Sequence, residues 1–228
     1  MITDGLNPFN LLAFLALLGG TGVAAFAIGA AVIARRRELA KLFTLCLVVG
    51  WALYGGAFLA AALTSRERVL GRNEEKHLCE IDCHLAYSVV AVRAGPTVGS
   101  GAARQAARGT FYIVTVRVRF DSATISSHRG MFPIWPNPRL IEVVDDRGRS
   151  FAYSLAAERA LPSAEIPPLS RALVPGESYV TDLVFDVPND ARDLRLEIAS
   201  FVLPTLFVIG HENSLLHRKT TFRIDPTS

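Results

Sequence analysis

Residues Lys76–Tyr87 read KHLCEIDCHLAY and join an apolar N-terminal third to a remainder rich in β-forming residues. The stretch holds two of the three cysteines and two of the five histidines. Its thiols and imidazoles can form a disulfide or hold a metal, and the compartment that they face decides between these chemistries. The flanking sequence indicates that compartment.

Two apolar segments precede the stretch. Phe9–Ala34 and Leu42–Leu63 contain no charged residue, and each is long enough to cross a hydrocarbon layer of roughly 30 Å as a helix. No Lys or Arg precedes the first segment, which is also longer than the apolar core of a signal peptide. We therefore predict a retained two-helix anchor over residues 1–64, a linker with the Cys/His segment over 65–84, and a β-domain over 85–228.

The connector between the two segments, Arg35–Lys41, is basic, whereas the N-terminal flank has no basic residue. Basic connectors favour the cytoplasm. Arg66, Arg68 and Arg72 follow the second span, but a long domain can translocate regardless of its charge. The pattern predicts a multi-pass protein of the cell membrane with its C-terminal domain outside the cytoplasm.

Small residues recur at four-residue spacing in both apolar segments. Gly20 with Ala24 and Ala25 with Gly29 lie in the first, and Ala52, Gly56 and Ala60 lie in the second. Such residues let two helices approach closely in a membrane. We expect them to form the seam of the helical hairpin, or else to contact a partner membrane protein.

The charge balance excludes one class of function. The chain has 24 basic and 21 acidic residues, a formal net charge of +3, and no run of like charge beyond Arg35–Arg37. Nucleic-acid-binding proteins carry a basic patch or stripe. We therefore expect no nucleic-acid partner, and expect the membrane and a protein partner instead.

Three chemistries fit the Cys/His segment. The favoured one is a Cys79–Cys83 disulfide, which an outside location permits. In a straight strand the two Cα atoms would be roughly 13 Å apart, too far for a disulfide, whereas a helical turn brings residues four apart onto one face. So short a loop would stabilise the fold by about 2 kcal/mol.

The second chemistry is a copper or zinc site, in which Cys79, Cys83 and His84 or His77 supply thiolate and imidazole ligands. The third is covalent haem, because a histidine follows the second cysteine directly. Three residues rather than the usual two separate the cysteines, which disfavours haem. We favour no cofactor over either metal or haem.

Beyond Leu85 the hydrophobic period changes to two, which is typical of strands. Along Thr110–Asp121, for example, Tyr112, Val114 and Val116 alternate with residues suited to the other face. This alternation and the turn residues predict the following strands, with Gly95–Gly109 as a flexible loop: Leu85–Arg93, Thr110–Asp121, Leu140–Asp145, Arg149–Ser154, Ser178–Val187, Leu194–Ala199, Thr205–Ile209 and Thr220–Ile224.

The segment Phe132–Pro138 combines two aromatic residues with three prolines and cannot continue a central strand. It is a stiff loop. Phe132 and Trp135 are candidates for a recognition surface, and capping of the core by the same two rings is the alternative.

Short strands without intervening helices predict an antiparallel β-sandwich. At Thr110–Asp121, Val143–Tyr153 and above all Val174–Pro188 (VPGESYVTDLVFDVP), the chain resembles the telokin-like immunoglobulin-type domain of bacterial membrane-anchored and exported proteins. The resemblance covers roughly Leu85–Ile224. It implies an immunoglobulin-like sandwich and an extracytoplasmic location, with no established reaction.

No catalytic motif accompanies these features. His211-Glu212 followed by His217 lacks the histidine spacing of a zinc-protease helix. Two functions remain. The first is a membrane-anchored, non-enzymatic binding or accessory module outside the cytoplasm, and the alternative is a copper- or electron-handling protein that uses Cys79, Cys83 and His84.

Overall fold

A computed structural model of the chain describes residues 8–80, 83–161, 169–200 and 203–226. Two compact units emerge: residues 8–66 with 203–218, and the remainder. The helices are α1 (Pro8–Ile33), α2 (Arg37–Thr64) and α3 (Leu155–Glu158). The strands are β1 (Arg68–Leu70), β2 (Lys76–Glu80), β3 (Cys83–Val98), β4 (Gln105–Asp121), β5 (Arg139–Val144), β6 (Ser150–Ala152), β7 (Ser178–Val187), β8 (Arg195–Ser200) and β9 (Thr220–Arg223). Short 3-10 turns lie at Gly101–Ala103, Ser122–Thr124 and Leu203–Phe207.

The two predicted apolar helices are confirmed, and both are long and apolar enough to cross a membrane. α2 begins at Arg37 rather than Leu42, so the connector shortens to residues 34–36, where Arg35 adopts φ +58°. In the first turn of α2, Lys41 pairs with Glu38 at 2.9 Å. Among the described side chains of α1 and α2, the buried ones are Phe14, Ala31 and Ala62. These are therefore not the core helices of a soluble domain.

The helices meet at positions other than the predicted seam. The Trp51 indole donates a hydrogen bond to the Thr21 hydroxyl at 3.0 Å. A Cβ added at Gly50 would lie 3.7 Å from Leu17, whereas one added at Gly20 or Gly56 would meet no neighbouring atom within 4 Å. Because an added Cβ at Gly20 or Gly56 would meet no described atom of the other helix, these two glycines do not form the predicted seam.

The second unit is a two-sheet sandwich. One sheet has the strand order β1-β9-β8-β5-β6, and the other has the order β2-β3-β4-β7. The strands pair antiparallel, as expected, except that β1 runs parallel to β9. The predicted sandwich is confirmed at this level.

Period-two alternation builds the core between the sheets. Val114, Val116 and Val118 on β4 are fully buried, as is Phe185 on the neighbouring β7. Burial of each such side chain contributes about 1.5–3 kcal/mol relative to an exposed position. Side chains from both sheets form one continuous cluster, so each sheet buries one face against the other.

Three strand predictions need correction. Gly95–Gly109 is not a loop, because the ladder of β3 and β4 continues to the pair Val98 and Gln105. Thr205–Ile209 is not a strand: Leu203–Phe207 is a 3-10 turn that belongs to the helical unit. Lys76–Glu80, placed in the linker by the sequence, is strand β2, and β3 begins at Cys83 rather than Leu85.

Candidate functional site

The Cys/His segment is a β-hairpin. In the pairing of β2 with β3, Cys79 lies opposite His84, and Glu80 lies opposite Cys83. Because directly opposed residues share a face and successive residues alternate, Glu80 and Cys83 point to one face and Cys79 and His84 to the other. Cys83 joins the core cluster, whereas Cys79 is half-buried.

This register does not produce the expected disulfide. No bond joins Cys79 to Cys83. The sequence interpretation considered a straight strand or a helical turn, but β2 and β3 pair antiparallel. This register places the two cysteines on opposite faces, so the structure does not support the disulfide prediction.

The four residues proposed as metal ligands do not converge either. His77 shares a face with Cys79 and His84, but its Nε2 lies 3.1 Å from Oδ2 of Asp121. Cys83 points into the core instead. Within the part of the chain that the structure describes, no three His, Cys, Asp or Glu side chains are placed to hold one metal ion.

His77 belongs to a charged cluster on the outer face of this sheet. Arg119 donates two hydrogen bonds to Glu75, at 2.8 and 2.6 Å, and a weaker one to Asp121 at 3.4 Å. The Arg119 hydrogen bonds hold the pKa of Glu75 below its usual value. Burial opposes the shift at Asp121, but the Ala123 backbone N–H, Arg119 and His77 together lower the pKa of that carboxyl.

His84 lies beside this cluster and is partly buried. Its ring nitrogens accept and donate no hydrogen bond among the described atoms, while its backbone N–H donates to the Thr124 hydroxyl at 2.9 Å. Burial, followed by the neighbouring His77, lowers the pKa of His84 below its usual 6.5. The ring is therefore neutral at neutral pH.

On the inner face, Glu80 forms a buried ion pair with Arg139 of β5. Both side chains are 2% exposed, and burial lowers the pKa of Arg139 to about 10, so the guanidinium stays charged at neutral pH. Arg139 also donates to the Tyr87 hydroxyl at 3.0 Å and to Ser200 at 2.8 Å. The pair links the two sheets and satisfies charges that would otherwise be costly to bury.

Glu80 also fixes the aromatic loop that precedes β5. Its carboxylate accepts hydrogen bonds from the backbone and the side chain of Asn137. Farther back, the Ile134 N–H donates to the Leu173 carbonyl at 2.8 Å, and Pro136 is buried. The loop is therefore attached to the sandwich at Ile134, Pro136 and Asn137.

Trp135 lies between two of these attachments, Met131 and Phe132 precede them, and all three side chains point outward. Met131 is 70% exposed, Phe132 is 75% exposed and Trp135 is 68% exposed. The alternative that Phe132 and Trp135 cap the core is therefore wrong. We refer to these three exposed residues of one loop, two aromatic side chains and a methionine, as the aromatic cluster. Recognition by this cluster remains a prediction, but its exposure on a fixed loop suits that role.

Sequence reasoning missed the hydrogen bonds that hold the loop. Glu80 and Arg139 are 59 positions apart in the sequence, and nothing in either local pattern predicts that they meet. Lys76 and Glu80 are charged residues that are buried on an otherwise apolar face of β2. Their burial indicates a long-range ion pair or hydrogen bond only once β2 is recognised as a strand.

Comparisons with known proteins identify no family. No family model matches the chain. No curated protein matches it either. Among solved structures, the secreted protein MPT63 from Mycobacterium tuberculosis has a TM-score of 0.41 at 14% identity, covering 60% of this chain and 98% of its own. A conserved hypothetical protein from Bacillus anthracis has the same TM-score and identity, covering 54% of this chain and 86% of its own.

Proposed function

We propose that the chain is a membrane-anchored, non-enzymatic module that presents its β-sandwich outside the cytoplasm and binds a protein partner through the aromatic cluster. The observation that carries the proposal is the exposure of Met131, Phe132 and Trp135 on a loop that Ile134, Pro136 and Asn137 hold in place. The function requires no metal or cofactor. Stoichiometric copper or zinc in the purified protein would contradict it.

The anchor rests on α1 and α2. Their apolar side chains are almost all exposed within the helical unit, and lipid is the environment that such surfaces require. The basic residues Arg35–Arg37 lie at the closed end of the hairpin. Since basic connectors favour the cytoplasm, both open ends of the hairpin and the sandwich attached to them belong on the opposite side.

The sandwich is of the immunoglobulin-like class. Two mostly antiparallel sheets of five and four strands pack around one core, which supports that class and agrees with the resemblance of Val174–Pro188 to telokin-like domains. Domains of this architecture commonly carry their binding residues on loops at the ends of the sheets.

The composition of the aromatic cluster favours a protein partner. Trp, Phe, Met and Arg are enriched at protein interfaces relative to the rest of the surface. Arg129 lies in the same loop and its guanidinium stacks over the ring of Phe120, 5.4 Å from the centroid. A fixed loop loses little conformational entropy when it binds, so its aromatic side chains can act as anchors.

Photo-crosslinking tests the proposal directly. A photoreactive amino acid replaces Phe132 in the full chain, and a matched variant carries it at Val180, which is 48% exposed on β7. We expect a discrete protein adduct in native membranes from position 132, not from 180, and its loss on Trp135→Ala. Adducts to lipid alone, or an equal yield from both positions, would contradict a protein partner.

A further inference from the structure

The segment 203–218 lies between β8 and β9 in sequence but packs on the helical hairpin. The side-chain amide of Asn10 donates to the Ile209 carbonyl at 2.7 Å, and the Tyr54 hydroxyl donates to the Phe207 carbonyl at 2.7 Å. At its end, the Arg218 N–H donates to the Ser65 hydroxyl at 3.0 Å. Both helices therefore hold the segment.

The contact lies near the open end of the hairpin. Tyr54 is 17 residues beyond Arg37, or about 25 Å along the helix axis, and Phe14 lies about 28 Å before Ile33. Asn10 lies in the first turn of α1, and Ser65 follows the last residue of α2, so two of the three hydrogen bonds that hold the segment lie at the open end itself. With the basic connector at one membrane surface, this end of the hairpin lies at the other.

The segment exposes apolar side chains at the same level. Phe207 stacks on Phe14 with the ring centroids 6.2 Å apart, yet remains 48% exposed. Leu215 and Leu216 are 49% and 75% exposed. Phe207 therefore covers the ring of Phe14 and leaves part of its own ring on the surface of the helical unit.

The backbone of the segment suits a lipid environment. Its turns bond internally, from Ser214 N–H to the His211 carbonyl at 2.9 Å and from Leu215 N–H to the Leu206 carbonyl at 3.0 Å. The carbonyls of Phe207 and Ile209 accept their hydrogen bonds from α2 and α1, as described above. These internal hydrogen bonds avoid the cost of unpaired polar groups next to lipid.

We infer that residues 203–218 form an interfacial membrane element, whose Phe207, Leu215 and Leu216 insert among phospholipids in the leaflet at the open end of the hairpin. The inference rests on the anchoring part of the proposed function. It identifies lipid as the partner of this segment, which joins two strands of the sandwich in sequence. The segment is too short, and its backbone too irregular, to span a membrane by itself.

Depth measurements on the full chain test this placement. Single nitroxide labels are attached at Leu215→Cys and Leu216→Cys in a background lacking the native cysteines, in vesicles of phosphatidylcholine and phosphatidylglycerol. The matched controls are Val180→Cys on β7, as exposed as Leu215, and Val23→Cys in the middle of α1. Collisions with oxygen and with a water-soluble nickel chelate report the depth of each label.

We expect the oxygen-to-nickel collision ratio at Leu215 and Leu216 to exceed that at Val180 several-fold and to fall below that at Val23. If Leu215 and Leu216 behave like Val180 while Val23 is deep, the interfacial placement is overturned and the anchor stands. Protection from both reagents at Leu216 means protein contact and also overturns it. A water-exposed Val23 overturns the membrane anchor itself.

Discussion

At the scale of single residues, the buried pair Glu80 and Arg139 connects the two sheets and holds the aromatic loop through Asn137. Removing one partner leaves an uncompensated buried charge, which costs about 3–5 kcal/mol. We expect Arg139→Met to lower the free energy of unfolding by this amount. The double variant Arg139→Met with Glu80→Gln should lose less than the sum of the losses of the two single variants. Urea unfolding followed by near-ultraviolet circular dichroism, to which buried Tyr87 contributes, measures both. Strict additivity would show that the two side chains do not interact.

The depressed pKa of His84 predicts a pH dependence. Below its unfolded-state value of 6.5, the unfolded chain binds a proton at this position more readily than the folded chain. The free energy of unfolding therefore falls as the pH decreases from 6.5. His84→Asn should flatten this decrease relative to the unmodified protein. An unchanged slope would contradict the buried, neutral state of the ring.

Glu75 and Asp121 act in a lower pH range. Their pKa values are depressed from 4.5 and 3.8, so their contribution is complete above these values and is lost as the pH falls below them. Asp121→Asn should reduce the acid sensitivity of the urea midpoint below pH 4.5. If Asp121→Asn altered the pH dependence of the urea midpoint only between pH 4.5 and 6.5, the acid sensitivity below pH 4.5 would belong to another group.

At the scale of elements, Gly109 marks where β4 passes close to the end of β7. A Cβ there would lie 2.2 Å from the Val187 carbonyl oxygen and 2.8 Å from Pro188 Cα. Because backbone atoms cannot move aside cheaply, Gly109→Ala should destabilise the sandwich by about 1–3 kcal/mol. Gly95→Ala on β3, where the nearest atom is 3.8 Å away, is the control. Equal unfolding midpoints for the two variants would contradict this close approach.

The same scale shows what the sequence predicts well. The alternation of Val114, Val116 and Val118 identifies β4, because one face of that strand is fully buried. Ser178–Val187 is predicted to the residue for the same reason. The local pattern specifies a strand wherever its two faces meet different environments.

Where the environment is set by distant residues, local patterns fail. Lys76 and Glu80 are charged yet buried in β2, since Lys76 reaches the Thr220 carbonyl and Glu80 reaches Arg139. Thr205–Ile209 has the apolar composition of a strand, but its neighbours are helices. The exposure of Trp135 also depends on long-range contacts, so only its presence in a stiff loop could be predicted.

At the scale of the whole molecule, two units of different character share one chain. The helical unit offers an apolar exterior, and the sandwich buries its apolar side chains between two sheets. The chain passes between them more than once, because residues 203–218 return to the helices before β9 completes its sheet. The proposed membrane anchor accounts for this difference, with lipid around one unit and water around the other.

The orientation of these two units about the membrane is the central claim, and paired reporter fusions test it most directly. Alkaline phosphatase, active only outside the cytoplasm, and green fluorescent protein, fluorescent when folded inside, are each joined after Arg36 and after Ser228. We predict phosphatase activity only after Ser228 and fluorescence only after Arg36. Phosphatase activity after Arg36 together with fluorescence after Ser228 would place the sandwich in the cytoplasm and contradict the account.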